Sequence, residues 1–213
     1  MPDRSRQDAH RAPHRDPFTG PLEPGADVDL ASFEDLDLTG QDATGVTLVD
    51  CALVRCRLDG VRMGHARLVD TSLEQVTAGE LHTPDAAWQG VELLDCRLGA
   101  VQAYGSTWTR VTLRGGKTDY LNLRGAKITD LRIDGAVLGD LDLGDATVRR
   151  LTITGSRIGR LALHRSTLTE VDLRGADLSG IEGVDGLAGA TISEQQLLEL
   201  APAMADHLRI TVT

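Results

Sequence analysis

The residues of this 213-residue chain that could do chemistry are three cysteines, six histidines and a Gly-Gly-Lys-Thr run. Cys51, Cys56 and Cys96 have no CxxC spacing, and an odd count makes neither a disulfide framework nor a zinc site. His10 and His14 lie in a proline-rich start, while His65, His82, His164 and His207 are isolated, so no two histidines have ligand spacing. Arg114-Gly115-Gly116-Lys117-Thr118 has the composition of a phosphate loop without the GxxxxGK[ST] spacing that cradles one. No Ser or Cys has a companion His and Asp that would act as base and orienter. The residue types therefore predict no enzyme, no metal and no cofactor.

Whatever these residues do, a five-residue period places them. Leu121 to Leu178 reads LNLRG, AKITD, LRIDG, AVLGD, LDLGD, ATVRR, LTITG, SRIGR, LALHR, STLTE, VDLRG, ADL. Take the apolar third residue of each five as the centre, i. Centres then run from Phe33 to Leu178 without insertion, and only Ala43, Ala78, Thr83, Ala103 and Thr118 are not large and apolar. Position i−2 is small or aliphatic, with Gln41 the one misfit. A helix repeats its apolar face every 3.6 residues and a flat strand every 2.0. A strict five fits a solenoid in which each unit makes one short side and one turn.

Tandem units of this kind resemble the pentapeptide-repeat family, over about 150 residues of this chain. The resemblance implies an all-β fold, a right-handed quadrilateral β-helix with four units per coil. It also implies that i and i−2 point inward and the other three positions outward. Residues twenty apart should then stack. One such column, Arg110, Asp130, Arg150 and Glu170, alternates in sign as cross-strand neighbours prefer. Trp88 and Trp108 should stack too, each sharing its coil with small centres, so core packing is a better reading than a ligand cage. From Leu81 onward, i−2 alternates large and small, which predicts a cross-section longer one way than the other. The family's usual preference at i−2 is Ala, Ser or Cys, and Leu or Val on half of these sites departs from it.

Three segments follow. Residues 1–25 hold five of the seven prolines and read as a disordered tail. Residues 26–192 are the β-helix. Residues 193–213 are a cap, in which Ser193-x-x-Gln196 is a capping box. There, Leu197, Ala201, Met204 and Leu208 form an apolar stripe, Pro202 should split the helix in two, and Leu208 to Val212 reads as a short strand. The cap either closes the last coil of a monomer or joins two copies, through Leu197, Leu200, Met204, Leu208, Ile210 and Val212. Pairing end to end is what the resemblance suggests.

The formal charge is −10 and the pI about 5.0, which excludes a protein held on nucleic acid by phosphate contacts. The start has no apolar h-region and no run is long enough to span a membrane, so the expected location is cytoplasmic. A non-catalytic binding or scaffold role with an unidentified protein partner is the expected function. The alternative comes from the resemblance, since some family members imitate duplex DNA and bind DNA gyrase, protecting it from quinolone-like inhibitors. Such mimicry needs an acidic rod. Summed over each of the four sides, the coils carry only −3, −1, −1 and +1, with the acidity gathered at Glu34, Asp35, Asp37, Asp42 and Asp50 and in the cap. Outward apolar positions Val49, Val54, Val69 and Leu94, with Tyr104 and Tyr120, form the candidate partner patch.

Overall fold

The computed structural model describes residues 14–212. Parallel strand pairing repeats at an offset of twenty residues along almost the whole length. Leu48 pairs with Leu68, Trp88 with Trp108, Leu121 with Leu141 and Leu151 with Val171. Twenty residues are four units, so each unit makes one side of a four-sided coil. The faces that begin with the units of Phe33, Leu38, Ala43 and Leu48 are called faces 1 to 4. Faces 4 and 1 form one continuous fourteen-stranded sheet, and faces 2 and 3 an eight-stranded one. About eight turns stack into a β-solenoid that ends in one helix, with ~4.8 Å between neighbouring strands.

All thirty centres are buried, and so is i−2 except at Leu36, Gln41, Gly116 and Ser166, which are half-buried. Apolar burial at every fifth residue is what drives the chain to coil. Cys and Thr side chains at i−2 are satisfied by the neighbouring coil's backbone, whereas the Ser106 and Ser166 hydroxyls donate to the carbonyls of Ala103 and Leu163 in their own coil. The Cys56 thiol donates to the carbonyl of Phe33, the Cys96 thiol to that of Leu73 and the Thr71 hydroxyl to that of Leu48.

The large–small alternation at i−2 acts on the corners. Strands up to Glu74 are at most four residues long and stop at every corner. From Thr77 onward the corner from face 2 to face 3 is crossed without a break, and from Thr107 onward so is the corner from face 4 to face 1. Thr77–His82, Arg97–Gln102, Lys117–Asn122 and Val137–Asp142 bend from face 2 to face 3; Thr107–Arg114, Lys127–Asp134 and Thr147–Thr154 bend from face 4 to face 1. The residues entering the new face are large: Leu81, Val101, Leu121 and Leu141 in the first set, Val111, Leu131 and Leu151 in the second. A large inward side chain fills the core behind each of these corners; from face 2 to face 3 the backbone stays extended, whereas from face 4 to face 1 Arg110, Asp130 and Arg150 remain left-handed. Where i−2 is small, as at Ala86, Ser106, Ala126 and Ala146, the chain turns tightly. Val61 and Val91 follow left-handed Gly60 and Gly90, and there the turn persists despite a large side chain.

Glycines mark the strand-like corner. A Cβ on Gly99 would lie 2.2 Å from the carbonyl oxygen of Gly79, and one on Gly139 2.3 Å from that of Asp119. Where this corner changes type, between Gly60 and Glu80, the Asp59 carboxylate accepts from the backbone N–H groups of Gly79 and Glu80 at 2.9 and 3.0 Å.

Both ends differ from the expectation. The tail was expected to reach residue 25, and residues 1–13 lie outside the described residues, but residues 14–25 pack on the first coil. Asp16–Pro17 pairs with Ala31–Ser32, the Phe18 ring stacks on Phe33 at 4.2 Å, and Leu22 is buried. Gln41 owes its place at i−2 to this lid, because its side-chain oxygen accepts from the Leu22 N–H at 2.8 Å. At the other end Glu194–His207 forms a single helix, α1, that runs through Pro202 rather than splitting. The carbonyl that Pro202 leaves without a donor belongs to Leu198, which is exposed and open to water. No terminal strand forms among the described residues. Left-handed Arg209 and a bond from the Ile210 N–H to the Ala205 carbonyl end the chain as a helix C-cap instead.

Candidate interaction surfaces

The inside of the rod is closed to chemistry. Burial pushes the thiols of Cys51 and Cys56 up and that of Cys96 up to about 11, so none is a ready nucleophile. Trp88 and Trp108 stack at 4.9 Å and 17°, each 1% exposed, and neither indole N–H has a hydrogen-bond partner. They are core, and too buried to be a cage. The Gly115-Gly116 pair is structural as well. Both residues are left-handed, and a Cβ on Gly116 would lie 2.3 Å from the carbonyl oxygen of Cys96. Among the described residues no three His, Cys, Asp or Glu side chains gather as metal ligands.

Each unit thus spends its two inward residues on one filled core and turns three outward, four units to the coil. The chain is built as a pentapeptide-repeat solenoid. A scan against protein-family models finds no match to its sequence, and neither does a search of curated proteins. Solved structures do match. HetL, a pentapeptide-repeat protein involved in heterocyst differentiation regulation in the cyanobacterium Nostoc, is 19% identical over 82% of this chain and 93% of its own, with a TM-score of 0.34. QnrB1, a plasmid-mediated fluoroquinolone resistance protein, is 15% identical over 88% of this chain and 92% of its own, with a TM-score of 0.34. A trypsin-treated form of QnrB1 covers 92% of this chain at a TM-score of 0.37.

On the outside of this pentapeptide-repeat solenoid, charge is paired from coil to coil. Asp35 accepts a two-pronged bond from Arg55 at 2.7 and 2.8 Å, Asp140 one from Arg160 at 3.0 and 2.8 Å, and Asp145 one from Arg165 at 2.6 and 2.8 Å. Hydrogen bonds from these arginines hold the carboxyls of Asp35 and Asp145 below the usual range. The column that alternates in sign joins only in part. Asp130 takes Arg150, while Glu170 lies 3.8 Å from Arg149 instead.

The six patch residues do not come together. Val49 and Val69 are neighbours in register on face 4, and Val54 and Leu94 sit two coils apart on face 1 with Glu74 between them. Tyr104, 46% exposed, is on face 3, and Tyr120 is at the corner of faces 2 and 3, on the far side of the rod.

In the cap, Gln196 carries the docking. Its side-chain oxygen accepts from the Ser193 N–H at 2.9 Å, and its side-chain nitrogen donates to the carbonyls of Leu173 and Ala176 at 2.7 and 2.8 Å. This plug turns Gln196 and Leu200 inward, so the stripe that packs on the last coil is not the one through Leu197. Leu200 is buried and drops out of the candidate interface, and Met204 is half-buried. Leu197, Leu208, Ile210 and Val212 stand exposed, as does Leu198, which the periodicity missed because it lies off the stripe.

Proposed function

We propose that this rod is a non-catalytic binding or scaffold protein that acts by protein–protein contact in the cytoplasm. The observation that carries the reading is the division within each unit. Two residues lock into a continuous core and three stand outward at fixed spacing, so sequence variety is confined to the surfaces a partner would touch. No helix among the described residues is long and apolar enough to cross a membrane. The exposed apolar end of α1 supports an end-on homodimer through Leu197, Leu198, Leu208, Ile210 and Val212. Affinity capture on the full chain tests the binding role. A protein retained by the wild type and lost with a normally melting Val54→Asp, Val69→Asp or Tyr104→Asp variant supports it. Identical capture by every variant and by an unrelated acidic protein would defeat it.

A second reading is that acidic coils stand in for phosphates on DNA gyrase and shield it from quinolone-like inhibitors. It is favoured by an excess of carboxylates over cations on the first four coils of the larger sheet, and opposed by the basic coils that follow. DNA supercoiling by gyrase, with and without a quinolone, decides it: unchanged supercoiling and unchanged inhibition remove this reading.

A further inference from the structure

Whole-face sums of charge hide a division along the rod. On the outer surface of the larger sheet, faces 4 and 1 of the first four coils (residues 27–34, 47–54, 67–74 and 87–94) carry seven carboxylates, Asp27, Asp29, Glu34, Asp50, Asp70, Glu74 and Glu92, against Arg67 alone. The same faces of the next four coils (residues 107–114, 127–134, 147–154 and 167–174) carry seven cations, Arg110, Arg114, Lys127, Arg132, Arg149, Arg150 and Arg174, against four carboxylates. The net charges are −6 and +3.

Pairing sharpens the contrast. Elsewhere on the rod, carboxylates and arginines join from coil to coil. In the acidic half of this sheet no side chain of either sign has an ion partner among the described residues, although Glu34 and Glu74 accept from Ser32 and Ser72. In the basic half, Arg150, Arg114, Arg149 and Arg174 are each matched to a carboxylate. Arg110, Lys127 and Arg132 are left without one among the described residues. The acidic half also carries the apolar positions Val49, Val69, Val54 and Leu94, all half-buried, and Leu30, 40% exposed.

We infer that the ridge where faces 4 and 1 meet is a self-complementary surface along which a second copy of the chain lies side by side and end for end. A two-fold axis between Glu92 and Arg110 would lay each acidic coil on a coil that holds cations. The coil of Asp70 and Glu74 would face that of Lys127 and Arg132; the coil of Asp50 would face that of Arg149 and Arg150; Glu92 would face Arg110 and Arg114. An isologous contact of this kind uses the same surface on both copies and closes at two. A parallel arrangement sets acidic half on acidic half and is repulsive. This contact is distinct from the end-on pairing of α1, and it is salt-sensitive where an apolar end contact is not.

Sedimentation of the full chain tests it, in a Leu198→Asp, Val212→Asp background that removes the end contact. At about 0.01 M salt, where the screening length is ~30 Å, dimers are expected; at about 1 M, where it is ~3 Å, monomers. Glu74→Arg with Glu92→Arg cuts the acidic half from −6 to −2 and should weaken self-association at least ~10-fold, and Arg110→Glu with Arg132→Glu, which takes the basic half from +3 to −1, should do the same. Mixing the two variants should restore a dimer, because the positions made basic in one copy then face the positions made acidic in the other. Melting curves check folding, with Glu74→Gln and Glu92→Gln as the milder pair. A monomer at low salt, variants that dimerise like the parent, or a mixture that stays monomeric would each overturn the proposal.

Discussion

Glu74 ends the last of the short strands, and Thr77 begins the first that crosses a corner unbroken. The coils on either side of this boundary share one period and one core, yet they turn differently. In the early coils all four corners carry left-handed residues, such as Gly60, His65, Asp70 and Gln75 in succession. Later coils drop the left-handed residue at one corner, where Glu80, Ala100, Tyr120, Asp140 and Arg160 sit in extended strand. The difference teaches that a large residue at i−2 permits an extended corner without enforcing one. Leu81 and Leu121 follow extended Glu80 and Tyr120, whereas Val76 and Leu131 follow left-handed Gln75 and Asp130.

The largest effect that could break this comparison is a methyl group placed at the same corner in both regions. A Cβ on Gly139 would lie 2.3 Å from the Asp119 carbonyl oxygen, a backbone atom that cannot swing away. Gly60 has open space, with the Cα of Gly40 4.0 Å off, but its φ is +65°. Gly139→Ala should therefore cost more than ~3 kcal/mol, in the range of severe core overpacking. Gly60→Ala should cost about 1–2 kcal/mol, the penalty of a left-handed alanine. Urea midpoints of the two variants check the order. Equal losses would mean that the corners are not different in kind.

The five-residue register and the apolar centres were legible because one repeated unit states them thirty times, whereas the twenty-residue coil came from the resemblance, with columns such as Arg110, Asp130, Arg150 and Glu170 in support. The ends were not, because each is stated once. Phe18 and Leu22 are too few to predict a packed segment, and they become one only against Phe33 and the side chain of Gln41. α1 shows the same limit. Its capping box is local and readable, whereas the face it buries is set by Gln196 reaching two carbonyls some twenty residues back. The charge division of the larger sheet was missed for another reason: summing whole faces cancelled an acidic half against a basic one.

The plug at the closing end offers an intermediate effect with a defined pH dependence. Gln196→Glu keeps size and shape but sets a carboxyl against the carbonyls of Leu173 and Ala176. Only the protonated acid can donate there, so its folded-state pKa must rise above the unfolded ~4.3. Stability is then highest below about pH 4, where the single O–H keeps one of the two bonds, and falls as pH rises through the raised value, with a loss on the order of 3 kcal/mol at neutral pH. Melting across pH 4 to 8, relative to wild type, measures it. Because the plug touches only the last coils, hydrogen exchange should quicken near Leu173 and leave Leu48 protected. A pH-independent loss would mean that the amide does not bridge these carbonyls.

The smallest effect is the most specific, because it predicts opposite signs for one kind of substitution. Gln75 holds a corner at φ +53° with its side chain exposed. Gln75→Gly relieves a left-handed penalty of ~1–2 kcal/mol and gives back roughly half as much in unfolded-chain entropy, for a net gain of about 0.5 kcal/mol. Ala100 occupies a strand-like corner within Arg97–Gln102 and has no positive φ. Ala100→Gly brings the entropy cost with no strain to relieve, so it should destabilise by ~0.5–1 kcal/mol. Neither residue is charged or part of an ion pair, so the two changes isolate backbone geometry from the surface ladders. Opposite shifts in melting midpoint would establish that the chain turns its corners in two ways. Shifts of the same sign would reduce the boundary at Thr77 to a matter of strand length.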